Sequence, residues 1–156
     1  MAMRKKPLAA ARTDTPATEV KIPVAMLVLG LLIEAVRSSS VGGAEGALGA
    51  LLGTAAFTAI SVLFSLGACF ITAKIMGISF GFVGPACLKL AAIAVFPAAI
   101  AMLLPGFGWI LAVVLYWSLL MWFFDLELVE AFVLVVVLRL MWWTAAGLAI
   151  MLLPGA

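Results

Sequence analysis

The chain has 156 residues, 67% of them apolar and only 10% charged, with a formal net charge of +2 and a mean hydropathy of +1.35. Soluble domains hold about 45–50% apolar and roughly 25% charged residues, so the polar groups here cannot cover the apolar surface and a soluble monomer is excluded. Histidine is absent, which removes the usual general base, the commonest metal ligand and every His-dependent triad.

The composition predicts an all-α, polytopic transmembrane helix bundle. The first 21 residues hold five of the nine Lys and Arg (Arg4, Lys5, Lys6, Arg12 and Lys21) with two prolines and little to bury, and read as a disordered basic cytoplasmic tail. A transmembrane domain is expected over 22–156, beginning with a short span over 22–38 that is apolar up to Val36 except for Glu34. The apolar stretch reaches only ~22 Å against a hydrocarbon core of ~30 Å, so Arg37 and Ser38 must extend it by snorkelling. An interfacial helix here would leave four spans instead of five. The basic flank before the stretch and the small residues after it also fit a secretory signal or signal anchor, with Glu34 arguing against cleavage.

A second span is expected over 47–73, where no charge occurs, between a Gly-rich turn at 41–46 and Lys74. A loop with three glycines and a proline leads to a third span over 86–104, which contains Lys89 and Pro97; the proline should kink it. The Pro-Gly-Phe-Gly sequence at 105–108 predicts a tight hairpin into a fourth span over 109–124. Asp125 then stands where a helix N-cap would, with Glu127 and Glu130 in the first turn of a fifth span over 127–153 that Pro154 and Gly155 end. Five spans put seven Lys and Arg on the N-terminal side against Arg37 on the other, with Arg139 inside the membrane. The positive-inside rule then predicts a cytoplasmic N-terminus and an external C-terminus in an inner or plasma membrane.

Ionisable residues inside spans carry the functional expectation, because an unpaired one in hydrocarbon is expensive. Counting from the cytoplasmic helix ends places Glu34 and Arg139 both ~18 Å deep, and Lys89 and Glu130 both ~5 Å deep. The expected ion pairs are therefore Glu34 with Arg139 and Lys89 with Glu130. Trp142 and Trp143, three and four residues after Arg139, offer it a cation–π contact as well. Gly49 and Gly53 form a G-x-x-x-G that, with Ala94 and Ala98 in the third span, is expected to let helices of this chain pack closely.

Catalytic and binding motifs are few. Gly77-Ile78-Ser79-Phe80-Gly81 matches the G-x-S-x-G nucleophile elbow, but that motif needs a strand-to-helix turn and a histidine. Cys69 and Cys87 form no C-x-x-C pair and read as small buried hydrophobes. No basic stripe with interleaved aromatics points to nucleic acid. The expectation is a non-enzymatic protein without cofactor or metal, acting as a scaffold, accessory subunit or assembly partner beside other membrane subunits or a second copy of itself. The alternative is a small oligomeric transporter or channel with a polar path through Glu34, Lys89, Glu130 and Arg139.

The organisation resembles that of Yip1-like membrane proteins. It shares a polar N-terminus, five closely spaced helices, a proline within the third (Val95-Phe96-Pro97) and a Leu-Leu-Pro-Gly-Phe-Gly-Trp turn from Leu103 to Trp109. The likeness covers roughly residues 88–120, and it implies a non-enzymatic role in membrane organisation or trafficking through protein contacts.

Overall fold

A computed structural model describes residues 17–104 and 106–152. Among them there is no strand. A π-helical turn at Ala17–Lys21 leads into four helices: α1 (Ile22–Met76), α2 (Val83–Leu103), α3 (Gly108–Phe124) and α4 (Leu128–Leu152). Three stretches, Glu19–Met76, α2 and Leu128–Leu148 of α4, are long and apolar enough to cross a membrane, and α3 is a shorter apolar helix. In lipid the backbone must satisfy its own hydrogen bonds, and helices do so within one segment.

Helix α1 is not one rod. At Gly43 the backbone leaves the helical region (φ 63°, ψ −155°), a conformation open to a residue without Cβ. The Thr54 hydroxyl donates to the Glu34 carboxylate, although in a straight helix these positions would stand ~30 Å apart. A Cβ on Gly46 would likewise lie 3.2 Å from the Ser38 carbonyl oxygen. The chain therefore folds back at Gly43 into two antiparallel arms, 22–42 and 44–76. The reversal occupies a single residue, tighter than the six-residue turn expected at 41–46.

The first arm runs parallel to α2. Glu19 meets Lys89, Gly30 meets Val95 and Phe96, and the Arg37 guanidinium donates to the Met102 carbonyl at the far end of α2. The second arm returns along α2 and ends at Gly77, whose left-handed conformation (φ 70°) lets its N–H cap the Ala73 carbonyl. At the next hairpin Gly106 has φ 93°, and a Cβ on Gly108 would overlap the Ala101 carbonyl.

Residues 17–21, expected within the tail, are ordered as the π-helical turn and are held by the Glu19–Lys89 contact. Residues 1–16 of the expected tail and the Pro154-Gly155 stop lie outside the described residues. Asp125 is not the N-cap of the last helix. It is the C-cap of α3, in the left-handed conformation (φ 51°) that Asp tolerates better than most side chains, and its N–H donates to the Met121 carbonyl. Helix α4 starts later, at Leu128, and Glu130 reaches back to accept from the Glu127 N–H at 2.9 Å, half of a capping box.

The core lies toward one end of the bundle. Ala68 and Cys69 of α1, Ala86, Leu90 and Ile93 of α2, Leu120 and Phe124 of α3 and Ala131 and Leu134 of α4 are buried together there. Helix α2 is the central element, packed on both α1 and α3. Helices α3 and α4 meet sparsely beyond the short loop that joins them.

Candidate functional site

Two places in this bundle set polar or ionisable groups among apolar side chains, one buried at Lys89 and one open, where Arg139 is exposed. The first is a clamp at the end that holds the core. The Lys89 ammonium, on a buried side chain that is only 11% exposed, donates to Glu19 Oε1 at 2.6 Å. It also stands 5.9 Å from the centre of the Phe124 ring, which Phe80 meets edge-on. One carboxylate and one aromatic face thus compensate the charge, from the segment before α1 and from the last turn of α3.

The second is a groove of about 920 Å³ on the flank of the bundle, where α3 and α4 diverge. Ile93 and Pro97 of α2 form its buried floor, and Tyr116 of α3 and Arg139 of α4 stand on its walls. Pro97 has no N–H to give the Ile93 carbonyl, so the floor also holds a backbone acceptor released from the helix ladder. Exposed Phe57, Val113 and Trp143 mark the rim, so the groove opens to the surroundings.

The expected pairs do not form. Glu34 accepts from Thr54 across the Gly43 reversal and makes no ion pair with Arg139. Lys89 takes Glu19 while Glu130 caps its own helix. Equal depth was the basis for both pairings, and depth says nothing of the direction around the bundle in which each residue faces. Trp142 is also committed elsewhere, stacked on Phe64 (centroids 4.8 Å apart) and beside Phe57 at 6.1 Å. Among the described residues, Arg139 has neither a hydrogen bond nor an ion pair. Arginine at a helix centre costs about 2.5–3.5 kcal/mol on insertion scales.

Gly49 and Gly53 are exposed, and a Cβ on either would meet nothing within 4 Å. The G-x-x-x-G therefore packs no helix of this chain among the described residues, contrary to expectation, because that stretch of the second arm faces outward. Ala94 and Ala98 line the groove rather than a helix contact of that motif. The close approach is made by Gly30, where a Cβ would come within 2.9 Å of Val95. Its signal was a lone glycine inside a helical run, tolerated at a cost and usually explained by packing. Glu19 was missed because it stands in the polar stretch before the first apolar residue. Both cysteines are free thiols, Cys69 buried. Ser79 sits in the loop between α1 and α2, where its hydroxyl accepts from the Gly81 N–H.

Of the four ionisable residues expected along a polar path, Arg139 alone lines the groove. Neither a protein-family description, nor a curated protein, nor a solved structure matches the chain.

Proposed function

We propose that this chain is a non-enzymatic multi-pass integral membrane protein that acts through association within the bilayer, as a scaffold, accessory subunit or assembly partner. The observation that carries the reading is the open flank. Helices α3 and α4 diverge and leave an intramembrane arginine to be satisfied by something outside the described chain, while the long apolar faces of α1 and α4 are almost wholly uncovered. Each arm of α1 then makes one crossing, which with α2, α3 and α4 gives five. The arms have the length for it, since 21 residues in the first reach ~31 Å. Lys21, Lys74 and Lys89 gather at the end where the basic tail begins, which favours a cytoplasmic N-terminus and an external C-terminus in an inner or plasma membrane. The absence of histidine and the Yip1-like layout of the five segments agree with a role without covalent chemistry.

Purification from native membranes in mild detergent tests the association: a companion at fixed stoichiometry is the expected result, and a lone monomer counts against it. Topology is read separately. In a chain with both native cysteines replaced, Val41→Cys should react with an impermeant thiol reagent on intact cells, and Ser79→Cys only after lysis.

A further inference from the structure

Arg139 and the groove beside it have the properties of a lipid site. We propose that the α3–α4 groove binds one anionic lipid of the surrounding bilayer, with its carboxylate or phosphate head on Arg139 and an acyl chain along the apolar wall. This rests on the membrane reading alone and does not require a companion subunit.

Size decides first. The groove holds about 920 Å³, within the range of ~300–1,000 Å³ typical of small-molecule sites. An acyl chain needs a narrow apolar channel, and the α4 wall from Val135 to Gly147 offers one ~18 Å long.

Charge decides next. The guanidinium presents a planar fork of donors that matches carboxylate or phosphate oxygens, and no carboxylate among the described residues occupies it. Glu34, Glu19 and Glu130 are engaged elsewhere. Tyr116 on the facing wall can donate a further hydrogen bond through its hydroxyl. Depth is compatible. Arg139 lies 11 positions after Leu128, ~16 Å along α4, and helical side chains lean toward the helix N-terminus. One turn of reach brings the head to ~11 Å from the Leu128 end, and the opening between α3 and α4 lets a bilayer lipid enter from the side.

The test is native mass spectrometry of the full chain in a neutral detergent, with dioleoyl phosphatidic acid, oleate, dioleoyl phosphatidylcholine and inorganic phosphate as separate probes. The expected result is one phosphatidic acid or oleate per chain, retained at least about tenfold more tightly than phosphatidylcholine. Arg139→Leu should abolish that preference and Arg139→Lys should keep part of it. Gly147→Phe should fill the groove and reduce binding with the charge intact. Circular dichroism on each variant confirms that it remains helical. Equal retention of phosphatidylcholine and phosphatidic acid would overturn the proposal. So would an Arg139→Leu chain that binds like the parent, or inorganic phosphate competing as well as the lipids do. A companion missing from the native purification would leave this result untouched, so the two readings fail separately.

Discussion

Lys89 and Arg139 are both basic residues inside apolar helices, and the bundle treats them in opposite ways. Lys89 sits in the packed end, closed over by the core, with Glu19 at 2.6 Å and the Phe124 ring beside it. Arg139 sits where α3 and α4 have separated, on the wall of an open groove. A charge enclosed by its own chain contributes to holding helices together once it is paired, and it becomes a liability when the partner is removed. A charge left on an open flank contributes little to the fold and is available to something that arrives from outside. The difference teaches that packing, not position along the helix, decides whether a basic residue in an apolar helix is paired within the chain, as Lys89 is, or left on an open groove, as Arg139 is.

The comparison breaks most readily at Glu19. Replacing Glu19 with Gln leaves a nearly buried ammonium without its counter-charge, and about 2–3 kcal/mol of stability should be lost, less than a fully buried pair because Glu19 is a quarter exposed. Thermal unfolding in detergent reads this, and the exchanged chain Glu19→Lys with Lys89→Glu should recover part of it. Unchanged midpoints in the single variant would remove the clamp from the account. Next in size is Gly30→Ala, whose new methyl group meets Val95 and the Phe96 backbone and should cost about 1–3 kcal/mol as overpacking. A Val95→Ala change in the same chain should relieve it. Thr54→Val should cost about 1 kcal/mol by leaving the Glu34 carboxylate without its donor across the Gly43 reversal. Gly49→Leu and Gly53→Leu set the lower bound. Both point into open space, and each should move stability by less than about 0.5 kcal/mol. A large loss at either would mean that the face is covered in the folded protein.

The helices themselves were legible because helices long and apolar enough to cross a membrane leave strong marks: long apolar runs closed by Gly, Pro or a charge. The expected stretches 86–104, 109–124 and 127–153 correspond to α2, α3 and α4 with ends shifted by three residues or fewer. The turn near Gly43 was legible for the same reason. The side-chain partners were not. Counting residues gives the level of Glu34 or Arg139 along a helix, but the partner depends on which way each helix is rotated, and helices that are apolar all round carry no stripe that reveals it. Asp125 shows a second limit, since an acidic residue in a short loop serves as well at the end of one helix as at the start of the next. The groove was hidden altogether. It arises from the divergence of α3 and α4, and its lining comes from four segments distant in sequence.

The most direct test sets Arg139→Leu beside Glu19→Gln, each compared with the parent chain by thermal unfolding in one neutral detergent without added anionic lipid. The contrast between the two regions predicts a midpoint several degrees lower for Glu19→Gln, and a midpoint unchanged or higher for Arg139→Leu, because leucine removes an uncompensated charge. A fall for Arg139→Leu as large as that for Glu19→Gln would show that Arg139 is held by the chain itself, and would contradict the division between a packed clamp and an open site.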